Sequence, residues 1–211
     1  MTPALAIALL AWTLSRGEPA RPDGPPVSAN LASPMSQLEH STEALRASVR
    51  RSYPSWSPEA DLQRSTVKRI VGDSVDYREF GRRTLGGHWR KLSEEDRTEF
   101  IAELGRLIEN RCLARDDAFG TDLKIRFERE TVSPRGTASV FATASGNPRS
   151  KRPPMSIEYR LLWKEDHWSI YDLVTDGDSL VESYRVQFDR IIGREKFEGL
   201  LQRIRRQAEV R

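Results

Sequence analysis

The chain has 211 residues, of which 37% are hydrophobic and 31% are charged, which is enough apolar material for one folded domain and too polar for an integral membrane protein. Its 34 basic residues nearly balance its 31 acidic residues, and the net charge of +3 is too small to indicate nucleic-acid binding. The single cysteine excludes an intramolecular disulfide, and no Cys/His spacing typical of a metal site occurs. We therefore expect one domain with neither a metal nor a cofactor.

The first twenty residues have the pattern of an export signal. Residues 4–14 form an uncharged apolar run that is too short to cross a bilayer. No cysteine follows this run closely, so a lipoprotein anchor would have no thiol to acylate. We expect residues 1–20 to be a cleaved signal peptide, residues 21–33 to be a disordered proline-rich linker, and residues 34–211 to be the domain of a periplasmic protein.

Two helical patterns follow the linker. From Pro34 to Arg51 the apolar residues have helical spacing, and Tyr53-Pro54 ends that helix. Ser57-Pro58-Glu59 predicts the start of a second helix, with serine as the N-cap and proline in the first helical position, and Gly72 is its predicted end. The expected buried stripe of this helix consists of Leu62, Val67, Ile70 and Val71.

Two further helix starts are marked by capping residues. Asp76 can cap a short third helix, and the paired glycines Gly86 and Gly87 allow a sharp turn after it. Ser93 lies three residues before Asp96, which predicts a capping box at the start of a long helix. The apolar residues of that helix are Phe100, Ile101, Leu104, Leu107, Ile108 and Leu113.

After Gly120 the apolar period changes from about 3.6 to about 2, which predicts β-strands. In the first of them Leu123, Ile125 and Phe127 alternate with charged residues. Turns are predicted at Pro134-Arg135-Gly136 and at Glu165-Asp166. The other three predicted strands cover residues 137–145, 155–164 and 168–173.

The tail returns to a helical pattern that begins at Ser179, breaks at Gly193 and resumes near Phe197. The order of helices, four antiparallel strands and helices predicts an α+β fold with the helices on one face of a curved sheet. Such a fold can be a hollow cone, like that of nuclear transport factor 2, with an apolar pocket between sheet and helices.

No group of residues stands out as a catalytic centre. His40, His88 and His167 have neither metal-ligand nor catalytic spacing, and no Gly-x-Ser-x-Gly elbow or Gly-rich phosphate loop occurs. Asp172 and Asp176 are candidates for a buried general base, so a small-molecule enzyme on this scaffold stays an alternative. A periplasmic interaction module with a solid core and no ligand is a second alternative.

Three segments carry a family resemblance. They are residues 75–90, with VDYREF and LGGHWR, residues 93–100, with SEEDRTEF, and residues 168–188, with WSIYDL, GDSLV and YRVQF. In this order they resemble the MlaC family of periplasmic phospholipid-binding proteins, also called the toluene-tolerance family. The resemblance covers about residues 36–206.

This resemblance implies a function, and the sequence differs from the family pattern at two positions. It implies a monomeric carrier without enzymatic activity, which moves phospholipid between an outer-membrane lipoprotein complex and an inner-membrane ABC transporter with an MCE-domain ring. Such a carrier contributes to the lipid asymmetry of the outer membrane. The departures are Asp178, where the family usually has an apolar residue, and the position near Cys112, where it usually has an aromatic one.

A phospholipid carrier needs a deep apolar pocket, because each CH₂ group left in water costs about 0.8 kcal/mol. The predicted lining comes from the helices and the sheet, and consists of Val67, Ile70, Val71, Phe80, Leu85, Leu104, Ile108, Tyr159, Leu161, Leu173, Val181, Tyr184 and Phe188. Arg82, Arg83 and Arg185 are predicted to contact the headgroup or a docking partner.

Overall fold

The computed structural model describes residues 32–51, 53–54, 56–113, 124–146 and 153–209. The expected signal peptide and most of the expected linker lie outside these residues, as do Leu123 and the side chain of Cys112. The predicted α+β fold is confirmed, because helices precede and follow a curved, open, antiparallel sheet. Among the described helices, none combines the length and apolar character needed to span a bilayer.

The described residues contain five α-helices and five β-strands. The helices are α1 (Pro34–Val49), α2 (Pro58–Ser74), α3 (Tyr77–Leu85), α4 (Glu94–Leu113) and α5 (Leu180–Glu209), with a 3₁₀ helix (Gly86–Lys91) between α3 and α4. The strands are β1 (Lys124–Ser133), β2 (Thr137–Ser145), β3 (Met155–Lys164), β4 (His167–Thr175) and β5 (Asp178–Ser179).

Each strand pairs antiparallel with the next one in the chain, so the sheet order is β1-β2-β3-β4-β5. The fifth strand was not predicted. It forms because Asp176 and Gly177 both have positive φ angles, which fold the chain back onto β4 in a tight turn. Register shifts near Arg129 and near Arg160 interrupt the pairing, and such bulges bend a sheet.

The predicted helix starts are confirmed by side-chain caps. Ser57, Asp76 and Ser93 each accept a hydrogen bond from the backbone N–H three residues later, at 3.2, 2.9 and 3.0 Å. The backbone N–H of Ser93 in turn donates to the Asp96 carboxylate at 3.4 Å, which is the reciprocal bond of a capping box, and the Ser93 hydroxyl donates to the same carboxylate at 2.7 Å. A cap of this kind stabilises a helix by about 1 kcal/mol, so these three residues fix where α2, α3 and α4 begin.

Two predicted helix breaks are wrong, because tertiary contacts rather than glycine decide where these helices end. Gly72 lies inside α2, which ends where Val75 leaves the helix to form a parallel bridge with Ile170 of β4. Gly193 lies inside α5, and the interruption occurs at Lys196, whose φ is 62°. The change of direction at Lys196 lets the last segment pack its apolar residues with α4 and the first part of α5.

Polar contacts hold the start of α1 against one end of the sheet. The Glu130 carboxylate accepts a hydrogen bond from the Ser33 hydroxyl at 2.8 Å. The Gln37 amide bonds to both backbone groups of Trp168, donating at 2.6 Å and accepting at 2.9 Å, and the Trp168 indole N–H donates to the Ala32 carbonyl at 2.6 Å. Ala32 and Ser33, which lie just before the expected domain boundary at Pro34, are therefore held against the sheet.

The apolar core has two main parts. The interhelical cluster joins α3, the 3₁₀ helix, α4 and α5, and its buried members are Phe80, Leu85, Trp89, Phe100, Leu104, Leu107, Val181, Tyr184, Phe188, Leu200 and Ile204. The α1–sheet cluster joins the first helix to strands β2, β3 and β4, and its buried members are Leu38, Ala138, Val140, Leu161 and Trp168.

Of the two glycines after α3, only Gly86 requires glycine. Its φ is 52° and its ψ is −122°, and a Cβ atom there would lie 3.1 Å from Nε of Arg185. A Cβ atom on Gly87 would meet no atom within 4 Å. We expect Gly86→Ala to lower the free energy of unfolding by roughly 1–3 kcal/mol and Gly87→Ala to change it by about 0.5 kcal/mol or less. Urea denaturation of both variants checks this, and equal effects would contradict it.

Candidate functional site

A trough of apolar side chains on one face of the sheet is the candidate site. Its floor is the inward face of β2, where every second residue is buried. Ala142 pairs with Phe127 on one side and with Ile157 on the other, so a small side chain lies between two large ones on the same face. Ala144 is flanked in the same way by larger residues of β1 and β3. We call this feature the sheet trough.

The two ends of the sheet trough differ in what covers them. At one end Ala138 belongs to the α1–sheet cluster, together with Leu38 of α1. At the other end Ala142, Ala144 and Ile157 form a separate buried group, which we call the sheet cluster. Within the part of the chain that the structure describes, the apolar side chains packed on the sheet cluster all come from strands, and they are Ile125, Phe127, Met155, Tyr159 and Leu173. Ala142 and Ala144 are each 3% exposed, so an acyl chain would reach them only by displacing side chains that now cover the sheet cluster.

Tyr159 provides a polar group at the border of the sheet trough. The Tyr159 ring lies 6.1 Å from that of Phe127, measured between centroids. Burial raises the pKa of Tyr159 to about 12, although the positive charge of Arg46 on α1 opposes that shift. The phenol is therefore neutral at physiological pH. Arg46 was not predicted as a site residue, because nothing in the sequence distinguishes it from other charged residues of α1.

The structure divides the predicted lining residues among several places. Those in or against the interhelical cluster are Phe80, Leu85, Leu104, Ile108, Val181, Tyr184 and Phe188. Leu161 lies in the α1–sheet cluster, Tyr159 and Leu173 border the sheet cluster, and the α2 residues are buried Val67 and Val71 and half-buried Ile70. Their contact with a ligand stays a prediction.

The aromatic residues of the interhelical cluster contact one another. The Tyr184 ring centroid lies 5.2 Å from that of Phe188 and 5.9 Å from that of Phe80. Side chains in such mutual contact behave as core, because rings at these separations already fill the space between their helices. Among the predicted lining residues, those of the sheet therefore form the better candidate surface for a ligand.

The three predicted arginines lie on α3 and α5. Arg82 donates two hydrogen bonds of 2.7 Å to the Glu79 carboxylate, and Nε of Arg83 donates another at 2.7 Å. The Arg83 guanidinium also lies 4.1 Å from the ring centroid of Tyr171. Burial raises the pKa of Glu79, but its contacts with the two arginines together lower the pKa below its ordinary value. These arginines therefore order α3 locally, and a role for them or for Arg185 in docking stays a prediction.

Asp172 serves as a structural acceptor at the start of α5. It is 3% exposed, and it accepts hydrogen bonds from the Ser179 hydroxyl at 2.7 Å, the Val181 N–H at 3.0 Å and Nη1 of Arg160 at 3.2 Å. Because side chains alternate along a strand, Asp172 lies on the opposite face from its neighbour Leu173, which borders the sheet cluster. To act as a base in the sheet trough, the Asp172 side chain would have to lie on the same face of the sheet as Leu173.

Asp176 and Asp178 lie at the surface. Asp176 is exposed in the β4–β5 turn, and its carboxylate accepts hydrogen bonds from the backbone N–H of Ser156 at 2.9 Å and from its hydroxyl at 3.2 Å. These contacts join the turn to β3. Asp178 is exposed on β5, so this departure from the family pattern lies outside the sheet cluster.

Comparison with known proteins agrees with this architecture. The sequence model of the family described as "MlaC protein" matches residues 39–206. A solved structure of a phospholipid-binding protein from Ralstonia solanacearum, in complex with a phospholipid, has a TM-score of 0.66 and 17% identity, and the match covers 84% of this chain and 97% of that chain. At this identity the likeness shows a shared fold. The search of proteins with curated functions gives no match. Because the family match spans most of the chain, the protein belongs to the MlaC family.

Proposed function

We propose that this protein is a phospholipid carrier that buries acyl chains against the sheet trough. The observation that carries the proposal is the sheet cluster, where the apolar side chains packed on Ala142 and Ala144 come from strands within the described residues. Small alanines between larger apolar neighbours give the sheet face a depression that an acyl chain can occupy once the side chains covering it move aside. The Ralstonia solanacearum protein, which shares this fold, is in complex with a phospholipid.

The physical need for such a carrier follows from the cost of exposing acyl chains to water. At about 0.8 kcal/mol per CH₂, two chains of about sixteen carbons would cost on the order of 25 kcal/mol. An unassisted crossing of an aqueous compartment is therefore very slow. A carrier has to shield the chains and can leave the headgroup in water, so its task needs no bond to be made or broken.

Family membership and the predicted export signal support a location in the cell for this carrier. We infer that the protein works in the periplasm and shuttles phospholipid between an outer-membrane lipoprotein complex and an inner-membrane ABC transporter with an MCE-domain ring. This exchange would contribute to the lipid asymmetry of the outer membrane. Arg46 suits a role at the headgroup, because a guanidinium pairs well with phosphate oxygens.

A transfer assay tests the proposed function. Donor vesicles carry a fluorescent phospholipid, and acceptor vesicles lie behind a filter that passes protein but retains vesicles. We expect the mature protein to raise the transfer rate by at least about tenfold over buffer, because it removes the exposure of acyl chains to water. The rate should be proportional to protein concentration, and transfer no faster than in buffer would contradict the proposal. The mass of the exported protein tests whether the signal peptide is removed.

A further inference from the structure

Two large apolar side chains are exposed where α1 turns into α2. Trp56 is 84% exposed and Leu62 is 68% exposed. The sequence pattern predicted Leu62 in the buried stripe of α2, and that prediction is wrong. With about 3.6 residues per turn, Leu62 lies on the face opposite Val67 and Val71, which are buried. An exposed tryptophan and an exposed leucine this close together in the chain indicate a surface that binds a membrane or another protein.

The exposed residues belong to an anchored part of the chain. The Gln63 amide donates to the carbonyl oxygens of Ser48 at 2.7 Å and Arg51 at 2.8 Å, and so ties the end of α1 to the start of α2. Next to Trp56, the N-cap Ser57 is buried and donates its backbone N–H to the Pro54 carbonyl at 2.9 Å. The backbone that carries Trp56 and Leu62 is therefore held in place by hydrogen bonds.

Arginines accompany the exposed apolar residues. Arg50 and Arg51 are both exposed at the end of α1, shortly before Trp56. We call Arg50, Arg51, Trp56 and Leu62 the α1–α2 corner.

Nearby charges of α2 are mixed. Of the acidic residues close to the corner, Asp61 is neutralised by an ion pair with Arg64, and Glu59 lies at the helix start. Lys68 and Arg69 add positive charge further along α2, although Arg69 also pairs with Asp73 at 3.8 Å. Counted over residues 50–73, which include that partner, five basic residues oppose three acidic ones. This balance favours an anionic partner.

The corner is connected to the sheet through α1. This helix contacts β1 and β2, and its Leu38 packs with Ala138 in the α1–sheet cluster. A membrane that held the corner would therefore also hold the helix that lies on one end of the sheet trough.

We propose that the α1–α2 corner docks directly on an anionic phospholipid bilayer. Trp56 and Leu62 enter the interfacial region, where tryptophan is favoured because its ring is apolar and its N–H is polar. Arg50 and Arg51 meet lipid phosphates. The proposal rests on the proposed function in one respect: docking would serve to load and unload lipid at the membrane. Docking itself can be measured on vesicles without any transfer.

Vesicle binding of the mature protein, with its processed N-terminus verified by mass spectrometry, tests this inference. The probes are vesicles of phosphatidylethanolamine with phosphatidylglycerol and vesicles of phosphatidylcholine alone. We expect flotation with the anionic vesicles and a blue shift of the tryptophan emission. Trp56→Phe should remove most of the shift, because Trp89 and Trp168 are already buried and the half-buried Trp163 packs against the α1–sheet cluster. Trp56→Ala with Leu62→Ala should weaken binding by at least about tenfold, and Arg50→Glu with Arg51→Glu by a similar factor.

Matched variants outside the corner serve as controls. Val186→Ala removes an apolar side chain that is 59% exposed on α5, and Arg190→Glu with Arg194→Glu reverses two exposed charges there, as many as in the corner variant. Both should bind vesicles like the wild type. Equal binding by the corner variants and the wild type would overturn the inference, as would a wild type that does not bind vesicles. A wild type that carries phospholipid but does not bind vesicles would leave the proposed function intact and reassign the corner to a protein partner.

Discussion

Replacing Ala142 with phenylalanine is expected to abolish phospholipid binding while the protein stays folded. Ala142 is 3% exposed at the centre of the sheet cluster, between Phe127 and Ile157. A phenyl ring there would lie along the groove that the acyl chain is proposed to occupy, and would replace the ligand as the packing partner of the neighbouring strands. We expect less than about a tenth of the wild-type lipid content after purification without detergent, since the added ring and a chain cannot share the space.

The same substitution at Ala138 is the matched control. Ala138 lies four residues earlier on the same face of the same strand, but it packs in the α1–sheet cluster with Leu38 and Trp168. A phenylalanine there has no ligand space to fill, so overpacking should lower the free energy of unfolding by roughly 1–3 kcal/mol. Denaturation curves and lipid content measured on both variants separate the two positions. If Ala142→Phe is destabilised as much as Ala138→Phe, the sheet cluster is solid core and the site is misplaced.

Replacing Asp172 with alanine is expected to lower the free energy of unfolding by roughly 3 kcal/mol. The change leaves the buried Val181 N–H and the Ser179 hydroxyl without their acceptor, and removes one of the two carboxylate partners of Arg160, the other being Glu158. Arg160 is partly exposed, so solvent compensates for part of its loss, and the buried backbone donor should account for most of the effect. Chemical denaturation measures it.

Asp176→Ala is the control for Asp172, because Asp176 is exposed and a change there should cost about 1 kcal/mol or less. Asp172→Asn keeps one acceptor oxygen and should retain phospholipid at close to the wild-type level. If the asparagine variant loses a chemical activity toward a small molecule while its stability is unchanged, the enzyme alternative would gain the support that the present geometry does not give it.

The sequence predicted those features of the fold that depend on interactions between residues close together in the chain. The caps at Ser57, Asp76 and Ser93 and the alternation in β2 are set by hydrogen bonds and burial within a few residues. Helix ends and breaks depend on contacts with residues far away in the chain, which is why the predicted end of α2 at Gly72 is wrong. The short strand β5 depended on positive φ angles, which the sequence Asp-Gly permits but does not require.

The candidate site was harder to predict than the fold. Helical periodicity marks a residue as inward-facing, and both a solid core and a pocket wall satisfy it. Tyr184 and Phe188 therefore received the same prediction as Tyr159 and Leu173, although the first two pack on each other and the last two border the sheet cluster. Leu62 shows the opposite error, since an apolar residue at nearly helical spacing proved to be exposed.

Mass spectrometry of the bound lipid tests the carrier proposal most directly. The mature protein is purified from cells without detergent, examined by native mass spectrometry, and extracted with organic solvent to identify what it holds. We predict about one diacyl phospholipid per chain, because packing the acyl chains on the apolar residues of the sheet trough removes them from water. A protein that emerges empty and also takes up no phospholipid from vesicles would contradict the proposal.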